Sequence, residues 1–152
     1  MRRTSANATT DSPTPLPAPL KPLRGIRVLS LALNLPGPAA LMRLKAMGAR
    51  CLKAEPPAPG GRSGDPMGQY NPTAYATMHA GIKVLSVDLK TDKGQARLHQ
   101  ELARTDLLLT SFRPSALVKL GLGWKALHKA YPQLSVVAIV GAPGARAEEP
   151  GH

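Results

Sequence analysis

The chain has 152 residues, which suits one domain, and 43% of them are hydrophobic, an ordinary globular share. Its formal net charge is +11, yet the 20 Lys and Arg residues are scattered and aromatics make up only 3%. A base-stacking nucleic-acid binder is therefore not expected, whereas a polyanionic small molecule needs only a few converging cations.

Residues 1–22 are rich in Ser, Thr, Ala and Pro and carry no helical or strand period. Such a tail buries too little surface to offset its ordering entropy, so disorder is expected there. Arg2 and Arg3 precede no apolar stretch, so a secretory signal is not expected. No segment reaches the roughly 18 apolar residues of a membrane span. Order is expected from Leu23 onward.

Ile26–Leu31 is a short β-branched run that reads as a buried strand. Asn34-Leu35-Pro36-Gly37-Pro38 is a turn leading into a helix, because proline is tolerated where the first helical N–H groups lack partners. Leu41, Leu44 and Met47 continue at helical spacing, and Gly48 is a suitable stop. Arg50–Ala54 reads as a second strand and holds the only cysteine, Cys51. One cysteine excludes an intrachain disulfide, fits a reducing cytoplasm, and is expected to be a core thiol.

Residues 55–80 are rich in Pro and Gly and read as a long connection. Lys83–Asp88 is a third strand. Thr91 is an N-cap for a helix from Asp92 to about Arg104, with Ala96, Leu98, Leu102 and Ala103 on its apolar face. Leu107–Leu109 is a fourth strand, and short helices follow at Pro114–Leu120 and Trp124–Ala130. Leu134–Val140 is a fifth strand. The alternation predicts an α/β fold: a Rossmann-like, mainly parallel sheet with helices on both faces. Ligands of such sheets bind outside the carboxyl ends of the strands.

The first strand–helix turn lacks GxGxxG, and no Walker A sequence occurs, so dinucleotide and nucleoside triphosphate sites are disfavoured. The four histidines show no metal-ligand spacing, so no metal is expected. Lys90 closes the third strand, and Ser111-Phe112-Arg113-Pro114 closes the fourth, both on the ligand edge. Lys83, Lys90, Arg113 and Lys119 together suggest a polyphosphate site, although a basic helix face would look the same.

Several segments now line up. They are Leu23-Arg24-Gly25-Ile26-Arg27-Val28-Leu29, Pro36-Gly37-Pro38-Ala39, Lys53-Ala54-Glu55-Pro56, Val87-Asp88-Leu89-Lys90, Ser111-Phe112-Arg113-Pro114, Leu120-Gly121-Leu122-Gly123 and the closing Pro150-Gly151-His152. In this order they resemble the family III CoA-transferases, a family that includes α-methylacyl-CoA racemase. The resemblance implies a CoA-binding α/β domain over residues 23–152 and an interlocked homodimer. It implies coenzyme A or acyl-CoA as substrate, with contacts at Val87, Lys90, Ser111, Phe112, Arg113 and Lys119. Pro56 and Thr110 depart from residues common in relatives, Arg at the first and Glu or Asn at the second.

In the racemase branch, the residue matching His152 moves a proton beside the thioester carbonyl, together with an Asp further on. In the transferase branch, an Asp at the position after His152 forms acyl anhydrides. The resemblance thus implies a truncated, catalytically incomplete N-terminal portion of a cytoplasmic enzyme that transfers CoA to a carboxylic acid or epimerises a 2-methylacyl-CoA. The alternative is a non-enzymatic CoA-binding module that pairs with a longer family member. No membrane partner is expected.

Overall fold

The computed structural model describes residues 16–150. Met1 to residue 15 of the expected disordered tail, and His152, lie outside the described residues. Leu16 and Leu20 are almost wholly exposed. Contact with the body is made by Leu23, whose N–H donates to the Met47 carbonyl at 3.0 Å.

Five strands form one sheet: β1 (Arg27–Ser30), β2 (Arg50–Glu55), β3 (Lys83–Ser86), β4 (Leu107–Thr110) and β5 (Ser135–Ala138). The order is β3-β2-β1-β4-β5 and every pairing is parallel, with Leu29 opposite both Leu52 and Leu108. All five expected strands are present. β2 and β4 run one residue further than expected, while β1, β3 and β5 are shorter.

The helices are α1 (Pro36–Ala46), α2 (Pro66–Tyr70), α3 (Pro72–Met78), α4 (Asp92–Leu102), α5 (Pro114–Lys119) and α6 (Trp124–Ala130). Alternate residues of β1 and β4 point to opposite faces, and each face feeds its own core. Val28 and Leu109 join Ala32 and Leu41 under α1. Leu29 and Leu108 join Leu98 and Leu102 of α4, Leu117 of α5 and Leu127 of α6. Both sheet faces are covered, which explains the near-continuous apolar strands.

Two expectations need correction. The connection after β2 is not structureless, because it folds into α2 and α3. Asp65 caps α2 by accepting the Met67 N–H, and Asn71 caps α3 by accepting the Ala74 N–H; a proline follows each cap. These short helices show too few turns for a periodic pattern, so only their caps mark them. On α4, Ala96 and Ala103 are exposed, and the buried stripe is Gly94, Leu98, Glu101 and Leu102. The i, i+4, i+8 spacing from Gly94 defines that stripe better than residue apolarity does.

Candidate functional site

Strand order reverses between β1 and β4, so the chain leaves these two neighbours in opposite directions and opens a crevice at their carboxyl ends. A cleft of about 160 Å³ lies at this edge, walled by Leu31, Leu33, Ala54, Pro56, Val87, Leu89, Phe112 and Leu120, with Asp88 and Lys90 as its charged residues. Such a cleft suits a flat or apolar part of a ligand whose anionic groups reach outward to cations.

Short hydrogen bonds hold its walls. Thr110 is fully buried, and its hydroxyl accepts the Phe112 N–H at 3.1 Å. The Ser111 hydroxyl accepts the Leu33 N–H at 3.2 Å and so ties the β1–α1 turn to the end of β4. Asp88 accepts the Lys90 N–H at 3.0 Å, and the Thr91 hydroxyl donates to the Asp88 carbonyl while accepting the Gly94 N–H. The Gln95 side-chain amide donates to the carbonyls of Leu89, at 2.7 Å, and Leu120, at 3.0 Å, joining two walls.

Of the residues expected from sequence, Val87, Lys90 and Phe112 line this cleft. Ser111, Phe112 and Arg113 line a neighbouring depression with Ile139, Gly141 and Glu149, so Phe112 is the partition between the two. Lys119 is exposed at the last turn of α5, next to Leu120 of the cleft wall. Lys83 does not join them. It opens β3, at the amino end opposite the cleft, and its charge acts on Glu101.

A second cluster was not anticipated. Lys53 and Glu55 sit two apart on β2, on the face shared with α1, and Lys53 is completely buried. The Lys53 ammonium donates to Asp65 and lies 3.0 Å from Glu55 Oε1 and 2.9 Å from His79 Nε2. Glu55 also accepts from the Tyr75 hydroxyl at 2.6 Å and the Ser63 hydroxyl at 2.7 Å. His79 Nδ1 stands 2.7 Å from the Tyr75 carbonyl. A carbonyl only accepts, so Nδ1 carries the proton and Nε2 turns its lone pair to Lys53.

Burial pushes the Glu55 carboxyl up, but hydrogen bonds from Tyr75, Ser63 and Lys53 outweigh it and hold the group below its ordinary value. Burial, then the bond to Glu55, pushes the Tyr75 hydroxyl up to about 12. Burial holds the His79 imidazole below its ordinary value, and the Lys53 charge adds to this against the Tyr75 carbonyl. Ligand atoms of Glu55, Asp65 and His79 lie within 4.8 Å of one another, as a metal site requires. All three contact the Lys53 ammonium, which supplies the positive charge a metal would bring.

One signal for this cluster was available. Two charges on one face of a covered strand must be paired. Asp65 and His79 lie 12 and 26 residues from Lys53, and no local pattern connects them.

Residues 23–152 match the family model of CoA-transferase family III. The chain is 34% identical over 130 residues to a succinyl-CoA–D-citramalate CoA-transferase of Chloroflexus aurantiacus, covering 81% of this chain and 31% of that protein. It is 32% identical over 145 residues to a probable fatty acyl-CoA transferase of Mycobacterium tuberculosis, covering 90% of this chain and 36% of that one. A crystal structure from Mycobacterium tuberculosis superposes with a TM-score of 0.76 at 32% identity, over 88% of this chain and 38% of the other. The chain therefore spans about a third of the length of these relatives.

Proposed function

The chain belongs to CoA-transferase family III, and from that membership we propose that its cleft holds coenzyme A within an enzyme that moves CoA from an acyl-CoA to a carboxylic acid. The observation that carries this reading is the convergence of Val87, Lys90 and Phe112 on one apolar cleft at the sheet's carboxyl edge. Val87, Leu89 and Phe112 receive the flat or apolar part of the cofactor. Lys90, Arg113 and Lys119 are exposed cations that meet its phosphates, and Ser111 adds a hydroxyl beside them. Transfer is favoured over epimerisation because both relatives described above are transferases. The family resemblance also implies a homodimer and a cytoplasmic location, and a racemase-type role of His152 belongs to the epimerising alternative. Among the described residues, no helix is long and apolar enough to cross a membrane.

The family resemblance also admits a second reading, in which these residues act as a CoA-binding module that pairs with a longer family member. Co-expression with such a protein tests it: a stable mixed complex is expected, and separate elution would overturn it.

The first test is thermal unfolding of the purified chain with and without millimolar CoA. A ligand that binds only the folded state adds about 2.7 kcal/mol at a hundred times its Kd. The midpoint is expected to rise with CoA, and the rise to shrink in Lys90→Ala and Arg113→Ala. An unchanged midpoint in the wild type would overturn CoA binding by this chain.

A further inference from the structure

The buried charge cluster and the cleft meet at one residue. Asp65 is completely buried, and its two carboxylate oxygens do different work. Oδ2 takes the Lys53 ammonium. Oδ1 accepts two backbone N–H groups, Met67 at 3.0 Å and Asn34 at 2.9 Å. The first of these caps α2. The second reaches 31 residues back, to the β1–α1 turn beside the cleft.

Asn34 has a φ of 64°, the left-handed conformation, and is the only non-glycine residue with positive φ among those described. Asn tolerates this region better than most residues, yet the turn still needs a partner that selects it. Leu33, the preceding residue, lines the cleft, and its own N–H is held by Ser111. Two consecutive amides of the turn are thus held from opposite sides, one by the end of β4 and one by the cap of α2. Lys53, itself bound by Glu55 and His79, in turn holds Asp65 at that spot.

We propose that Asp65 is a positioning residue for the ligand: by holding the Asn34 amide it sets the β1–α1 turn in the shape that makes Leu33 a wall of the cleft. The proposal rests on the reading of that cleft as a CoA site. It assigns Asp65 a role in binding, carried through backbone rather than through contact with the ligand.

The test is titration of CoA into the full 152-residue chain. Asp65→Ser keeps a capping hydroxyl for α2 but is too short to reach both Lys53 and Asn34. Because it takes one of two carboxylates from Lys53, it is paired with a double variant, Lys53→Met with Asp65→Ser, which removes the Lys53–Asp65 ion pair as a whole. Tyr75→Phe is the control, since it weakens the same cluster at Glu55 without touching Asn34. Losing a charge-assisted bond that shapes the site should weaken CoA binding about tenfold or more in both Asp65 variants. Tyr75→Phe should bind as the wild type does.

Wild-type affinity in the double variant would overturn the proposal while leaving the CoA reading intact. A wild type that binds no CoA would overturn the CoA reading and the proposal with it. Should both Asp65 variants fail to fold, amide exchange in the wild type decides. Coupling is reciprocal, so saturating CoA should slow exchange at the Asn34 amide about tenfold. Unchanged exchange there would overturn the proposal.

Discussion

Lys53 carries a charge into a fully buried site, on a strand covered on both faces. Its neighbours Glu55, Asp65 and His79 make that tolerable, and losing one partner should be costly. Lys53→Met alone leaves two carboxylates facing an apolar group and should destabilise by about 3–5 kcal/mol in urea unfolding. Surface pairs such as Arg146 with Glu149 should contribute little by comparison. The cluster also predicts a pH dependence. His79 takes up a proton near its ordinary value of 6.5 when unfolded, and only at lower pH when folded. Its neutral form is therefore an asset above about 6.5 and a growing liability below it. Glu55 is held below its ordinary 4.5, so its contribution is present above about 4.5 and lost beneath. The urea midpoint should fall from pH 7 to pH 5, and His79→Gln should flatten that slope. In the sequence Lys53 and Glu55 stood out as a family segment and by their spacing on a covered strand, but no spacing reveals the partners on which their burial depends.

At the scale of elements, the turns after the strands do the most specific work. Gly37 in the first turn of α1 is one such point: a Cβ there would lie 2.2 Å from the Ala32 Cβ. Gly37→Ala should force α1 off β1 and cost about 1–3 kcal/mol, measured by chemical unfolding. Gly94 is a second, where a Cβ would lie 1.7 Å from the Asp88 carbonyl oxygen. Gly94→Ala should displace the β3–α4 turn that carries Val87 and Lys90, and so shrink the rise in unfolding midpoint that CoA produces. Thr91 was legible as a cap because a long amphipathic helix follows it. Asp65 and Asn71 are caps of the same kind, but α2 and α3 have five and seven residues. Within so short a span a helix and a loop rich in Pro and Gly look alike, and the distinction comes from packing of α3 against α1 and of α2 against α3.

At the scale of the whole molecule, β3 and β5 are the edge strands of the sheet among the described residues. β5 leaves Val137 46% exposed, and Val140 just beyond it 37% exposed. An apolar, unpaired edge invites association with other strands. Val137→Lys should reduce self-association of the purified chain in light scattering. It should leave the unfolding midpoint nearly unchanged, because the residue is already half in water.

The α/β class, the five strands and their order along the chain were legible in the sequence, as was the placement of Lys90 and Phe112 at the carboxyl edge of the sheet, while Val87 entered through the family resemblance. These rest on short-range patterns: apolar runs, helical spacing, and the rule that parallel sheets bind at their carboxyl ends. The separation of Lys83 from the other cations, the folding of residues 56–80 into helices, and the burial of Lys53 with Asp65 and His79 were decided by tertiary structure alone. Each depends on which end of a strand a residue occupies or on which distant groups meet in the interior. Such meetings are set by the closure of the whole chain and leave no mark on neighbouring residues.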